Sequence, residues 1–181
     1  MTFEAGTPLW SDLQQGRVEE MDEAEQEACW RHAIESSSSA GLEHYEISNF
    51  ARPGRRCRHN VTYWRNLPYI GLGPGSASYV AGVRRTNEPD LAGYVAALQA
   101  GREAPHTQER LEGRHAMAET VMLALRLTEG LDLEDFRSRF GRDVREVFPR
   151  SIAKHLETGW LAIRAEHLAI LGRLGAAEQR H

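Results

Sequence analysis

The sequence predicts an α/β fold up to about residue 100, followed by a small helical module. Three observations carry this. Between Asp22 and Phe50 the order is helix, short loop, strand, which is the αβ half of a βαβ unit. A short apolar strand, Tyr69 to Gly73, runs into a glycine turn. After Gly101 the apolar residues recur at helical spacing, without the alternation of a strand.

The elements follow in order. Met1 to Leu9 carries neither the positive start nor the apolar core of a signal peptide, and reads as a loop leaving a strand. Gly16 and the polar run Arg17 to Glu20 continue that irregular stretch. A helix is expected from Asp22 to Glu35, with Asp22 as N-cap and Glu25 as its capping-box partner. Ala24, Ala28, Ala33 and Ile34 give it a modest apolar face, flanked by Trp30. Ser36 to Gly41 reads as a loop. Leu42 to Phe50 is expected as one strand, because Tyr45 and Ile47 alternate with polar neighbours.

Asp90 caps a helix to Ala100, with Leu91, Tyr94, Val95 and Leu98 on one face. Pro105 and His106 sit in a connector. Arg114 to Leu127 is helical by the spacing of Met117, Val121, Ala124 and Leu125, and Gly130 fits its C-terminal stop. Asp132 caps a short helix carrying Leu133, Phe136 and Phe140, which Gly141 closes. Val144, Val147 and Phe148 precede Pro149, and Ile152 and Leu156 extend a helical face up to Gly159. Glu166 to His181 reads as a further helix or a frayed end.

Composition bounds the function. The 181 residues make one domain or two small ones, and an apolar share of 41% excludes wholesale disorder. With 22 Lys and Arg against 26 Asp and Glu, the net charge of −4 gives no general attraction to nucleic acid or membrane. Two cysteines, Cys29 and Cys57, cannot build a disulfide framework, a four-cysteine zinc site or an all-cysteine iron–sulfur cluster. The expectation is a cytosolic (cytoplasmic) chain with reduced thiols. No stretch approaches the roughly 18 apolar residues of a membrane span.

The candidate chemistry lies between Phe50 and Ser78. Arg52, Arg55, Arg56 and Arg58 place four arginines within seven residues, on a loop punctuated by Pro53 and Gly54. Arginine forks suit carboxylates and phosphates, while a bland solvated basic loop has the same composition. His59-Asn60-Val61-Thr62-Tyr63-Trp64 follows, an imidazole with two aromatics four and five residues on. Haem needs such parts: an axial nitrogen, aromatic walls and cations for its propionates. A packed, hydrogen-bonded histidine fits the same residues.

A zinc reading, from Cys29-x-x-His32 with Cys57-x-His59, has the right donors. The pairs stand 28 residues apart, one on a helix and one on a loop, and neither has finger spacing. Cys29 is better explained as a small apolar residue on a helix. Gly71-Leu72-Gly73-Pro74-Gly75-Ser76 is neither a dinucleotide fingerprint nor a P-loop. It is either a tight turn or a ligand-facing loop at the end of a strand.

Taken together, three ordered pieces are far more specific than any one. Tyr45-Glu46-Ile47-Ser48-Asn49-Phe50-Ala51, Cys57-Arg58-His59-Asn60-x-x-Tyr63-Trp64 and Tyr69-Ile70-Gly71-Leu72-Gly73-Pro74-Gly75-Ser76 strongly resemble the HemW proteins. These are radical S-adenosylmethionine (SAM) proteins related to oxygen-independent coproporphyrinogen III oxidase. The resemblance extends to Thr2–Pro8, like the family's loop after a barrel strand, and to Met122–Leu131, like the opening of its C-terminal helical domain.

The resemblance implies the C-terminal portion of a partial TIM-like radical SAM barrel, then a small, winged-helix-like helical domain. Residues 1–100 would be the barrel portion, 101–113 a connector and 114–181 the C-terminal domain. In the family H-N-x-x-Y-W is the haem-binding signature, which implicates His59, Asn60, Tyr63 and Trp64, with His59 the axial ligand of the iron. Arg52, Arg55, Arg56 and Arg58 become candidate propionate contacts, a step that the motif does not itself contain. Gly71, Gly73 and Gly75 resemble the segment that helps close the SAM end of the barrel. Implied cofactors are haem and, in a full-length parent, a [4Fe–4S] cluster and SAM. Implied partners are haem or porphyrin and an unidentified haem-acceptor protein.

The departures are equally informative. The family's C-x-x-x-C-x-x-C is absent, since it needs three cysteines and the chain has two. A full barrel takes roughly 250 residues, and only its last one or two strands are recognisable here. Leu171-Gly172-Arg173-Leu174-Gly175-Ala176-Ala177 does not match the family's closing segment. The expectation is a piece of a longer protein, without radical chemistry of its own. The leading function is haem binding and transfer, and the alternative is oxidative decarboxylation of coproporphyrinogen III. A third class is a winged-helix-like binding module: residues 137–181 hold nine Lys or Arg against five Asp or Glu. Nucleic acid is nevertheless not expected as a partner, because that fold often only packs against its neighbour.

Overall fold

A computed structural model describes residues 3–171, and the chain divides into two compact units, Met1–Leu42 and Glu43–His181. Each is described by itself.

The first unit holds two helices. α1 (Pro8–Gln14) lies in the stretch read as irregular. The Thr7 side chain accepts from the Trp10 amide and Pro8 fills the first helical position, a start signal confined to two residues. α2 (Glu23–Ser39) begins with the expected capping box between Asp22 and Glu25. It runs past Glu35 through the serines, whose last hydroxyl folds back onto the Glu35 carbonyl at 2.9 Å. The stop is a Schellman motif at Gly41 (φ +76°), with Leu42 N–H donating to Ser37 O and Gly41 N–H to Ser38 O. No residue of α2 is buried; its expected apolar face is no core face, and Cys29 is exposed.

The second unit opens with a hairpin where one strand was expected. β1 (Glu43–Glu46) and β2 (Asn49–Ala51) pair antiparallel, His44 opposite Phe50. The Tyr45/Ile47 alternation is broken because Ile47 and Ser48 form the turn, where Asn49 Nδ2 donates to Glu46 Oε1. Tyr45 is buried and Ile47 exposed. Next come α3 (Arg58–Trp64), β3 (Ala77–Val80), β4 (Val83–Asn87), α4 (Leu91–Gln99) and β5 (His106–Arg110). The expected strand at Tyr69–Gly73 shrinks to one bridge, Tyr69 to Tyr79. β3, β4 and β5 form an antiparallel sheet, so a strand lies in the stretch read as a connector. α4 keeps its expected cap at Asp90.

α5 (Gly113–Ala124), β6 (Leu131–Asp132), α6 (Leu133–Phe140), α7 (Val144–Val147), α8 (Pro149–Glu157), β7 (Leu161–Arg164) and β8 (His167–Ile170) complete the unit. The last three strands pair antiparallel in the order β6-β8-β7. β8 occupies the start of the stretch read as a further helix or a frayed end; the rest of it, 172–181, lies outside the described residues. Leu131, Leu133, Phe136, Val144, Val147, Ile152, Leu161 and Leu168 form one apolar core under this sheet. Gly130 is not the stop of α5. It is required by close approach, since a Cβ there would stand 2.2 Å from the Leu168 carbonyl oxygen.

The result is a mixed α/β chain. Every strand pairing among the described residues is antiparallel, so the βαβ unit suggested by element order is not formed by them. Most of these strands follow one another through short turns, and such connections permit only antiparallel neighbours.

Candidate functional site

The site is organised by α3. Pro53 and Gly54 (φ +71°) turn the chain after β2, with Arg55 N–H donating to Arg52 O at 2.9 Å. The helix then starts at Cys57, which is exposed and supplies no side-chain cap. On a helix of 3.6 residues per turn, H-N-x-x-Y-W makes two i, i+4 pairs. His59 and Tyr63 share one face, and Asn60 and Trp64 share the next.

The contacts agree. The His59 and Tyr63 rings meet edge-on at 4.6 Å, and Tyr63 meets Tyr69 at 4.4 Å. Tyr69 continues to Tyr79 at 6.3 Å, whose ring lies under the Arg84 guanidinium at 5.6 Å. Arg84 in turn binds Glu119 at 2.8 Å and Glu109 at 2.9 Å. The Glu119 hydrogen bond raises the Arg84 pKa further above its ordinary value, against the opposing effect of burial. His59 is exposed, and its ring nitrogens have no hydrogen-bond partner among the described residues. The packed, hydrogen-bonded histidine therefore does not describe it.

Asn60 and Trp64 are half-buried. Cys57 Sγ donates to Asn60 Oδ1 at 3.6 Å. Arg126 lies over the Trp64 ring at 4.2 Å, and the buried Trp64 Nε1 has no hydrogen-bond partner among the described residues.

The helix end is pinned by residues that sequence reasoning missed. Asn66 adopts φ +50° and closes a Schellman motif, Leu67 N–H donating to Thr62 O and Asn66 N–H to Tyr63 O. Asn66 is buried, and its Nδ2 donates to Thr120 Oγ1 of α5 at 3.0 Å. Arg139 of α6 donates to the Arg65 and Asn66 carbonyls, each at 3.0 Å. Asn-Leu-Pro directly after a helical turn was the available signal, because Asn is the usual substitute for Gly at that position.

The arginines fall on another face of α3. Arg56, Arg58, Thr62 and Arg65 line an open cleft of about 360 Å³, with Gly54 and Val61. Glu129 bridges two of them, accepting from Arg56 at 2.7 Å and Arg65 at 2.8 Å. Burial pushes the Glu129 carboxyl up, but these two hydrogen bonds and their charges outweigh it and hold the carboxyl below its usual range. Arg52 and Arg55 are exposed on the turn, outside the cleft lining. The four arginines grouped by sequence thus separate into two that line the cleft and two that do not.

The glycine loop is internally satisfied. Gly71 N–H donates to Ser78 Oγ at 3.0 Å, Gly73 N–H to Tyr94 Oη at 3.2 Å, and Gly75 N–H to Glu88 O at 3.2 Å. A Cβ at Gly71 would stand 2.1 Å from the Ala77 carbonyl oxygen, so this glycine is required by packing. All three amides are already paired, and a ligand would have to displace those partners.

Two metal chemistries can be weighed on the donor set. The chain's two cysteines are too few for the three that a site-differentiated [4Fe–4S] cluster takes. Among the described residues no three His, Cys, Asp or Glu side chains gather to hold a metal ion. A haem iron takes one or two axial ligands, and the exposed, unpartnered His59 beside Tyr63 fits that smaller demand.

Comparison with known proteins agrees with the order of these parts. Residues 111–170 match the HemN C-terminal domain. "Heme chaperone HemW" of a Synechocystis strain is 45% identical over 104 residues, covering 56% of this chain and 25% of that protein. "Heme chaperone HemW" of Bacillus subtilis is 32% identical over 183 aligned positions, covering 97% of this chain and 46% of that protein. This chain thus spans less than half the length of these two relatives. The structure of Escherichia coli coproporphyrinogen III oxidase (HemN), a radical SAM enzyme, superposes with a TM-score of 0.63 at 13% identity, covering 89% of this chain and 41% of that one. With the ordered motifs and this shared fold, the chain belongs to the HemW/HemN-like radical SAM family, whose C-terminal region it carries.

Proposed function

We propose that this chain carries the haem-binding segment of a haem-transfer protein, with His59 as the axial ligand. The observation that carries the reading is the exposed His59 imidazole, unpartnered and edge-on to Tyr63, on a helix whose end is fixed to α5 and α6. Haem, when bound, supplies an iron centre that takes the imidazole nitrogen. The chain's residues do the rest. Tyr63 fixes the ring orientation and offers an aromatic surface beside it. Trp64, stacked with Arg126, holds the helix on the protein, and Asn60 accepts from Cys57 at the helix start. Arg58, which has no ion-pair partner among the described residues, is the best-placed propionate contact; Arg56 is already engaged by Glu129, and Arg52 and Arg55 remain weaker candidates. An open site suits a protein that gives its ligand up to an acceptor.

The names of the two HemW relatives support this reading. The alternative, an oxidase of porphyrin synthesis, has a fold likeness behind it, and 13% identity carries the fold alone. We read residues before about 100 as the part adjoining a radical SAM barrel, and the later helices with the β7–β8 hairpin as a winged-helix-like packing module. In this reading the [4Fe–4S] cluster and SAM belong to residues other than this chain's cysteines, and haem is the ligand assigned to the segment.

The test is a haem titration of the chain followed by its Soret band. A shifted, saturable band in the wild type that is lost in His59→Ala supports the assignment. The same spectrum in both proteins refutes His59 as ligand.

A further inference from the structure

The cleft on the arginine face of α3 is separate from the His59 face and has a charge arrangement of its own. Three arginines line it: Arg56 from the turn after β2, Arg58 at the start of α3 and Arg65 two turns further along. Glu129 joins two of these arginines, with one oxygen on each, at 2.7 and 2.8 Å. Glu43 approaches Arg56 more loosely, at 3.8 Å. Three positive charges thus meet two negative ones, and the remaining positive charge is that of Arg58.

Arg58 does nothing evident for the fold. Its carbonyl accepts from Thr62 Oγ1 at 2.8 Å, but its side chain has no hydrogen bond or ion pair among the described residues. It also sits at the first position of α3, where the helix dipole disfavours a cation and no acidic residue offsets it. A free arginine fork that works against its own helix, beside two others already bridged by one carboxylate, is a composition suited to an oxyanion.

We propose that this cleft binds a doubly charged oxyanion, a phosphate or paired carboxylates, with Glu129 as its internal competitor. The incoming anion takes Arg58 and displaces Glu129 from Arg56 and Arg65. With Glu129 swung out, three guanidiniums face the dianion and Glu43, and the local charge is balanced. The side chains of Arg56, Arg65 and Glu129 are 36%, 54% and 30% exposed, so the exchange needs no opening of the core. The inference rests on the cleft residues, and because the haem reading also uses Arg58, the titration is done without haem so that the two can fail separately.

The experiment titrates the whole chain at low ionic strength with inorganic phosphate in one arm and glutarate in the other, without haem. Binding is read by calorimetry and by the arginine Nε–H resonances. The expected result is saturable binding that weakens about tenfold in Arg58→Ala, is partly restored in Arg58→Lys, and tightens several-fold in Glu129→Gln. Tighter phosphate points to a phosphorylated ligand and tighter glutarate to a carboxylate-bearing one; either supports the site. Equal affinities in the wild type and Arg58→Ala overturn it. So does the absence of saturable binding in both the wild type and Glu129→Gln. An unchanged affinity in Glu129→Gln overturns the competitor role. Because Arg58 has no partner to lose, Arg58→Ala is expected to keep the wild-type circular dichroism spectrum, which separates lost binding from lost folding.

Discussion

Asn66 Nδ2 donates to Thr120 Oγ1 at 3.0 Å, and this buried bond ties the end of the helix carrying His59 to the helix that opens the C-terminal domain. The Asn66 backbone contributes as well, through φ +50° and carbonyl acceptance from Arg139. The position of the candidate site therefore rests on a residue that touches no ligand.

Replacing Asn66 separates its two roles. Asn66→Ala loses the side-chain bond, leaves the Thr120 hydroxyl without this donor and places a Cβ residue less suited to positive φ, for a cost of about 2–4 kcal/mol. Asn66→Gly keeps the backbone conformation and should cost about half of that. Urea unfolding of the two variants checks the order, and equal costs would mean that the backbone conformation contributes nothing.

Gly130→Ala should destabilise by at least about 2 kcal/mol, because its Cβ meets the Leu168 carbonyl oxygen at 2.2 Å in a backbone region of φ +81°. The collision is with backbone inside the β6–β8 pairing, so side-chain rotation cannot relieve it. Thermal unfolding measures the effect, and a variant as stable as the wild type would contradict the packing described for β8.

Glu129 sets a pH dependence whose sign follows from its depressed pKa. A carboxylate held below its unfolded value adds stability that is present above about pH 4.3 and lost as the pH falls through the folded value. Glu129→Gln lacks this term. The stability gap between wild type and variant should therefore shrink on acidification from about pH 6 to pH 3, and shrink with added salt at neutral pH. Denaturation curves that stay parallel across this range would show that Arg56 and Arg65 do not hold the carboxylate.

What the sequence disclosed, and what it withheld, follows the range of the interactions. α4 and α6 were legible because Asp90 and Asp132 are local caps beside periodic apolar residues. The β3-β4-β5 sheet was not, because Val83–Asn87 and His106–Arg110 are largely polar strands without alternation. α3 was read as the continuation of a loop, since seven residues are too few for a period and Cys57 gives no cap signal. His59, Asn60, Tyr63 and Trp64 could be picked out as an ordered motif, yet their division between two helix faces needed the helix. The Arg56–Glu129 pair joins residues 73 positions apart and has no local signature at all. The expected oneness of the arginine loop failed for the same reason: long-range partners decide which arginines share a cleft.

The haem reading stands or falls with the His59 imidazole as the iron ligand. Its most direct test is the His59→Gly variant titrated with haem, with and without added imidazole. The wild-type Soret and visible bands should be lost in the variant and return when imidazole fills the vacated position. A variant that reproduces the wild-type spectrum without imidazole would contradict it.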